Sequence, residues 1–190
     1  MRVKDEKKEK AIFDAAVRLI TENGLADTSM SKIAKKADVS PATLYIYFEN
    51  KEDMLGKTYT HVKREMAAAL GKDLKPALSV GEAFKIIWNN FYKYALKNEV
   101  RFSFTEQFAN SPLVDRVRKE EGIIYFQPLF EWFERGKREK LFKDLPPEIF
   151  VAFAFAPLIA LVKQHFCGET VLDNKTLKTV YEISWESITR

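Results

Sequence analysis

The sequence predicts an all-α fold of about nine helices. Apolar residues recur at the three- and four-residue spacing of a helix through most of the chain, and no segment alternates convincingly as a strand. Gly and Pro, which interrupt helices, number only seven each among 190 residues. With 46% hydrophobic and 31% charged residues, the composition is that of a soluble globular protein and excludes disordered, collagenous and disulfide-rich chains.

The first three predicted helices lie within the first 50 residues. The first covers roughly 6–23 and ends at Asn23-Gly24, a common helix stop. Its apolar stripe consists of Ile12, Ala15, Ala16, Leu19 and Ile20. Ser29 caps a second, short helix, and Asp38-Val39 forms the turn after it. Ser40-Pro41 opens the third helix, because Ser suits the N-cap and Pro lacks the N–H that would be left unpaired there.

Six further helices are predicted from their end signals. They are a fourth from the Asn50 cap to about Leu70, a fifth from the capping box Ser79 to Glu82, a sixth over about 98–109, a seventh from Ser111-Pro112 to near Gly136, an eighth from Pro146-Pro147, and a ninth from Asp173 or Asn174. Pro128 falls inside the seventh helix, so we expect a bend there.

The positive net charge is a weak guide to function. The chain carries +4 overall, but residues 1–55 hold ten basic and ten acidic residues, so the excess lies beyond them. Clusters such as Lys32, Lys35 and Lys36 are more often a solvated face than a binding site. Charge alone therefore does not establish nucleic-acid binding.

The single cysteine and the apolar segments predict a cytoplasmic protein. Cys167 has no partner for an intrachain disulfide, which suits a reducing compartment. The first twenty residues lack the pattern of a signal peptide. The longest uncharged stretch, 149–162, is shorter than the roughly 20 residues that span a bilayer, so we interpret it as a buried helix. No cofactor or metal site is expected.

The two short helices and the first helix together form a predicted helix-turn-helix unit. Leu44 and Phe48 share the inward face of the third helix. The other sides of the third helix are then accessible and carry Ala42, Thr43, Tyr45 and Tyr47. Helix pairs of this kind are also ordinary packing units, but small residues in the first turn and nearby hydroxyls favour approach to a major groove.

Residues 28–55, TSMSKIAKKADVSPATLYIYFENKEDML, resemble the signature of the tetracycline-repressor (TetR) family of bacterial transcription regulators. The matching features are the Ile-Ala pair, the Val-Ser turn, Thr-Leu-Tyr, an aromatic pair ending in Phe, and the Lys that opens the next helix. The resemblance covers about residues 8–55. It implies a homodimer on double-stranded DNA, with a DNA-binding domain over 1–50 and a helical ligand-binding and dimerisation domain over 51–190.

The resemblance also implies roles for individual residues. Those expected near bases or their flanking phosphates are Pro41, Ala42, Thr43 and Tyr45, and those expected to hold phosphates are Ser29, Ser31, Tyr47 and Lys51. The family usually has Gly where this chain has Asp38. Because Asp tolerates the left-handed conformation better than most residues, we expect the same turn at a cost of about 1 kcal/mol.

Residues 84–133 are unusually rich in aromatic side chains. Most must be core, yet their number favours an apolar pocket between helices that would take a small hydrophobic or aromatic effector. Candidate lining residues are Tyr59, Val62, Met66, Phe84, Trp88, Phe91, Phe104, Phe108, Phe126 and Phe130. Glu106 and Gln107 could orient a polar group of the ligand.

The last two helices predict a dimer interface. The eighth is apolar on all sides and must therefore be covered, and the ninth keeps one apolar stripe. Packing both against their copies would give a four-helix interface. A dimer presents two recognition helices about 34–36 Å apart, which suits an inverted-repeat operator.

The sequence therefore predicts a ligand-responsive regulator, most simply a repressor, and not an enzyme. His61 and His165 belong to no metal-binding motif, and the chain has no Gly-rich phosphate loop. A helical enzyme and a protein-interaction module remain the alternatives. The latter predicts that Thr43→Ala and Tyr45→Ala leave DNA binding unchanged.

Overall fold

The computed structural model describes residues 5–109, 111 and 124–190. Within these ranges the chain forms nine α-helices and no strand beyond a single bridge between Phe142 and Thr189. The helices are α1 (Glu6–Asn23), α2 (Met30–Lys36), α3 (Pro41–Tyr47), α4 (Lys51–Leu70), α5 (Val80–Lys97), α6 (Glu99–Ala109), α7 (Gln127–Arg138), α8 (Pro147–Phe166) and α9 (Asn174–Ile188). The predicted all-α class is confirmed.

The predicted starts of α3, α5 and α9 are confirmed by their capping bonds. Ser40 accepts a hydrogen bond from the backbone N–H of Thr43 at the start of α3. At α5 the capping box forms in both directions, because Ser79 N donates to Glu82 Oε2 at 2.8 Å and Glu82 N donates to Ser79 Oγ at 3.3 Å. At α9 the carboxylate of Asp173 accepts a hydrogen bond from the backbone N–H of Thr176 at 2.7 Å. These bonds satisfy N–H groups that the first turn of a helix leaves unpaired.

The prediction for the seventh helix is wrong at its centre. A 3-10 turn at Ile124–Phe126 precedes α7, so Pro128 lies in the first turn of a new helix and not at a bend within a longer one. The ring of Pro is tolerated there because the first-turn N–H groups have no partner within the helix. The predicted start at Pro112 lies outside the described residues.

The chain divides into two compact units that do not follow its order. The first unit consists of described residues from Met1–Glu65 and Asn98–Tyr125, and the second of Met66–Lys97 and Phe126–Arg190. Helix α4 therefore begins in the first unit and ends in the second. The functional division predicted at residue 50 stays a prediction.

The core of the first unit lies between α1, α2, α3, α4 and α6. Ile12, Ile20 and Ile33 have no exposed surface, and Phe104 and Phe108 of α6 belong to the same buried cluster. Burial of side chains of this size contributes about 1.5–3 kcal/mol each before entropic costs. The apolar spacing that predicted α1 corresponds to this buried face.

The core of the second unit is an aromatic cluster. Phe84 of α5 lies within 6.3 Å, ring centre to ring centre, of Phe142, Phe155, Tyr181 and Trp185. Edge-on and tilted arrangements at such distances stabilise beyond the area buried. These rings join α5, α8 and α9.

Helix α8 is long and apolar enough to cross a membrane by length and composition alone, with a mean hydropathy of 1.7 over its most apolar window. One such helix is weak evidence of a membrane span. Only 28% of that window is buried in the single chain, so the expected burial of this helix is not met within one subunit. Its exposed face includes Ile149 and Phe153, which are 41% and 55% exposed.

Candidate nucleic-acid interface

The turn between α2 and α3 is built on a left-handed residue. Asp38 has φ 53°, and the N–H of Val39 then donates to the carbonyl of Ala34 at 3.0 Å. A side chain in this conformation costs energy that Gly avoids, and Asp is among the residues that tolerate it best. The left-handed conformation expected at Asp38 is confirmed.

Helix α3 presents one face to the core and one to solvent. Leu44 in α3 and Phe48, the residue that follows the helix, are 0% and 1% exposed, as predicted from their spacing. The outward face carries Pro41, Ala42, Tyr45 and Ile46, all exposed. Ile46 was missed by sequence reasoning, although its place four residues after Ala42 puts both on the same side of the helix.

Thr43 lies at the edge of this outward face. It is half-buried, and its hydroxyl lies 2.9 Å from the hydroxyl of Ser40. Each hydroxyl group has one proton and two acceptor positions, so this contact leaves capacity for a further partner. Tyr45, on the outward face itself, is 57% exposed.

The predicted phosphate contacts differ in their surroundings. Ser29 and Ser31 are exposed, and Ser29 also caps α2 by accepting from the N–H of Lys32. The ammonium of Lys51 donates to the carbonyl of Leu25 at 2.8 Å, which fixes it beside the start of α4. An ammonium has three donors, so one such bond does not exhaust it.

Tyr47 is placed differently from expectation. The prediction that it lies on an accessible side of the third helix is wrong, because its side chain is only 5% exposed. Its hydroxyl oxygen accepts a hydrogen bond from the backbone N–H of Asp5 at 2.9 Å. The pattern of α3 could not show this, since the partner is 42 residues away in sequence.

The lysines of α2 form a partly neutralised surface. Lys32 donates to the carbonyl of Asp27 at 2.7 Å, and Lys36 lies 3.9 Å from the carboxylate of Glu22. Lys35 is exposed. Exposed pairs at such distances contribute little to stability, so these ammonium groups can be redirected at low cost.

A groove of about 500 Å³ lies between α1 and α4 within the first unit. Its floor is Phe13, whose ring stacks on His61 at 4.5 Å, and Lys10, Arg64 and Tyr125 lie at its walls. Burial lowers the pKa of His61, with Glu65 acting in the opposite direction. None of these residues belongs to the predicted ligand site.

Arg101 connects α6 to two other helices of the first unit. Its guanidinium donates to Asp14 on α1 at 2.5 Å and to Glu65 on α4 at 2.8 Å. The Arg101 side chain is 24% exposed, which makes these charge-assisted bonds stronger than ordinary surface pairs. Thr21 of α1 also donates to the carbonyl of Val100 at 3.2 Å.

The ten predicted ligand-site residues fall into two groups. Tyr59, Val62, Phe104 and Phe108 lie in the first unit, and Met66, Phe84, Trp88, Phe91, Phe126 and Phe130 lie in the second.

Several of these side chains are already in contact with other residues of the protein core. Phe84 lies within the aromatic core, and the indole N–H of Trp88 donates to the carbonyl of Ala154 at 3.2 Å. In the first unit, Tyr59 stacks on Phe108 at 4.8 Å, and burial together with the nearby Glu106 carboxylate raises the pKa of its hydroxyl. Their role in ligand binding stays a prediction.

The sequence matches two protein-family profiles. Residues 12–57 match "Bacterial regulatory proteins, tetR family", and residues 80–189 match "Tetracyclin repressor-like, C-terminal domain". The first match covers α2, the turn and α3, and the second covers more than half of the chain. The resemblance stated from residues 28–55 thus extends to the C-terminal helices.

Known proteins agree with both profiles. A helix-turn-helix transcriptional regulator of Bacillus subtilis is 32% identical over 93% of each chain. The crystal structure of a TetR-family regulator from Marinobacter aquaeolei superposes with a TM-score of 0.89 at 27% identity, covering 100% of this chain and 99% of that one. A fatty acid degradation regulator from Bacillus halodurans gives a TM-score of 0.77 at 26% identity, covering 97% of each chain.

These relatives are transcription regulators and not enzymes, which confirms the prediction made from the absence of catalytic motifs. The helix-turn-helix geometry, the two profile matches and the relatives along the full chain agree with one another. The chain belongs to the tetR family of bacterial transcription regulators.

Proposed function

We propose that the chain is a cytoplasmic, ligand-responsive repressor that binds a palindromic operator as a homodimer. The observation that supports it most directly is the outward face of α3, where Pro41, Ala42, Tyr45 and Ile46 are exposed on a helix whose other side is fully buried. A recognition helix needs this arrangement, because a major groove about 12 Å wide admits one helix and reads the side chains on its free face.

A binding selection from random double-stranded DNA tests the proposal. The expected product is an inverted repeat whose half-sites are about one helical turn apart. Tyr45→Ala and Thr43→Ala should each weaken binding to it by about 1–3 kcal/mol if the hydroxyl reads a base. Recovery of no enriched sequence, with the folded wild-type protein, would contradict DNA recognition.

Lys51→Ala separates phosphate contacts from base contacts. Removal of a phosphate contact should weaken all duplexes alike and lower the salt dependence of log K by about 0.9 for each contact. Lys85→Ala is the matched control, since Lys85 is an exposed lysine of α5 in the second unit, outside the two helices proposed to form the dimer. Equal effects of the two substitutions would refute the role of Lys51.

The dimer is proposed to form through α8 and α9. Ile149 and Phe153 of α8 and Ile183 of α9 are 41–55% exposed in the single chain, and the surface between them includes the small side chains of Ala152 and Ala156. Exposed apolar area of this extent on a soluble regulator indicates a contact surface.

Light scattering tests the dimer directly. Phe153→Glu should give a monomer at micromolar concentration, because the introduced carboxylate would be buried without a partner. Val171→Glu is the matched control, since Val171 is 74% exposed and lies outside both helices. A wild-type monomer, or a dimer that survives Phe153→Glu, would refute this interface.

The effector is proposed to be a small hydrophobic molecule. A relative along the whole chain is named for fatty acid degradation, so fatty acids are the first compounds to test. The ligand must bind the form that does not fit the operator more tightly than the form that does. Helix α4 contributes residues to both units and is the proposed path of this coupling. A ligand that binds tightly and leaves operator affinity unchanged would contradict its role as effector.

A further inference from the structure

Helix α3 carries none of the side chains that read a base most specifically. Its seven residues, Pro41–Tyr47, include no Arg, Lys, Asn, Gln, Asp or Glu. These are the side chains whose hydrogen bonds distinguish guanine, adenine and cytosine in the major groove. Direct readout by this helix must therefore use hydroxyl groups or apolar contacts.

The hydroxyl groups of α3 give little selectivity. That of Tyr47 is bonded to the backbone of Asp5, and that of Thr43 lies 2.9 Å from the N-cap hydroxyl of Ser40. Tyr45 is 57% exposed, and its hydroxyl can reach a base edge. A hydroxyl both donates and accepts, so it bonds to several bases and selects weakly among them.

The rest of the outward surface of α3 is apolar. Ile46 is 45% exposed, and Ala42, one helical turn before it, is exposed on the same side. The apolar group that a base presents in the major groove is the 5-methyl of thymine, which apolar side chains contact. Ile is branched at Cβ and keeps few rotamers, so its ordering against such a methyl group costs comparatively little entropy.

The backbone under this apolar surface is firmly held. Leu44 and Phe48, on the opposite side, are 0% and 1% exposed, and Ser40 caps the first turn. A gap of about 1 Å already loses up to about half of a van der Waals contact, so apolar readout requires a fixed helix. Helix α3 meets this requirement.

We propose that Ala42 and Ile46 select thymine at two positions of each operator half-site by contact with its 5-methyl group. The proposal rests on the proposed DNA-binding function and names the base that the recognition helix selects. Cβ atoms four residues apart on a helix are separated by about 5–6 Å, and bases along one strand by about 3.4 Å. The two thymines should therefore lie one or two base pairs apart.

Removal of single methyl groups from the DNA tests this selection. In the operator returned by the random-DNA selection, each thymine of a half-site is replaced in turn by deoxyuracil, which lacks the 5-methyl group and keeps the base pair. Fluorescence anisotropy then measures the affinity of the wild-type protein. At two positions the affinity should fall by about fourfold, the effect of uncovering about one methyl group, and by about fifteenfold when both half-sites are changed.

Ile46→Ala assigns one of the two positions to a side chain. This variant should bind thymine and deoxyuracil equally at that position and keep its preference for thymine at the other. Val100→Ala is the matched control, because Val100 is an apolar residue of α6 in the first unit and is 42% exposed. It should keep the wild-type preference at both positions. Thermal unfolding of each variant, measured alongside, separates a change in binding from a change in folding.

The contrary outcomes are distinguishable. Equal affinity of the wild-type protein for the thymine and deoxyuracil operators would overturn the apolar selection, whether or not Ile46→Ala folds. Selected half-sites without thymine would overturn it as well. A full preference for thymine at both positions in folded Ile46→Ala would show that Ile46 does not select the base. If the folded wild-type protein enriches no sequence, the proposed function is wrong instead.

Discussion

The close approach of α7 to Phe142 makes Gly136 a sharp test of packing in the second unit. A Cβ atom at Gly136 would lie 2.1 and 2.4 Å from two ring atoms of Phe142. Carbon atoms in contact lie about 3.5–4.0 Å apart, so the ring would have to move by more than about 1 Å. Gly136→Ala is therefore expected to destabilise the protein although Ala is the better helix former.

The ring of Phe142 has little room to move. It is 1% exposed and lies 5.0 Å from the ring of Phe150 and 5.9 Å from that of Trp185. Overpacking of a dense core costs about 1–3 kcal/mol or more, and the gain in helix propensity from Gly to Ala is about 1 kcal/mol. Since the overlap is much larger than a single tight contact, we expect a net loss of about 2 kcal/mol.

Urea denaturation and thermal unfolding measure this loss. The melting temperature should fall by roughly 4–8 °C, at about 2–4 °C for each kcal/mol in a chain of this size. Gly81→Ala is the matched control, because Gly81 is also helical and its Cβ would lie 3.4 Å from Trp185 at ordinary contact distance. Stability of Gly136→Ala equal to that of Gly81→Ala would refute the packing argument.

Three further predictions concern the first unit. Arg101→Ala should destabilise the protein by about 1–2 kcal/mol in urea denaturation, because it leaves Asp14 and Glu65 without their shared partner. Lys10→Ala should have a much smaller effect, since the ion pair of Lys10 with Asp14 is exposed. Equal effects of the two substitutions would refute the role given to Arg101. Because the pKa of His61 is lowered in the folded protein, the stability linked to its neutral form is complete above its unfolded pKa of about 6.5 and is lost as pH falls below that value. His61→Gln should therefore reduce the pH dependence of the free energy of unfolding below about pH 6.5. An unchanged pH dependence would contradict this prediction. Arg101→Lys should recover only part of the loss, because an ammonium cannot make both bonds in the same fork; full recovery would show that charge alone suffices.

Local signals in the sequence were enough to place most helices. Ser40-Pro41, the box from Ser79 to Glu82, and Asp173 each act on atoms three residues away, so their spacing determines the bond that forms. The left-handed conformation of Asp38 was predictable for a different reason, because the family that the sequence resembles usually has Gly at this position. The outward face of α3 likewise follows from helical spacing once Leu44 is known to be buried.

Features that depend on distant partners were not predictable in this way. Tyr47 lies four residues after the half-buried Thr43, and its burial is seen only in the structure, where its side chain joins the core cluster and its hydroxyl bonds to Asp5. Gly136 resembles a helix stop, yet α7 continues to Arg138, and the lack of a side chain at Gly136 leaves room for the ring of Phe142. An aromatic ring such as Phe84 has the same sequence pattern whether it fills a core or lines a pocket, so the ligand site could be predicted only as a set of candidates.

The pairing of α6 with α1 has a consequence for how this chain can be divided. Thr21 bonds to Val100, Arg101 bonds to Asp14, and Phe104 completes the buried cluster of the recognition helices, so the first unit is interrupted in sequence by Met66–Lys97. A fragment that stops at Glu65 would keep α3 but expose the apolar surface that α6 covers. Chimaeras that exchange sensing helices between regulators should therefore carry α6 with the DNA-reading helices, because one compact unit is built from two separate stretches of chain.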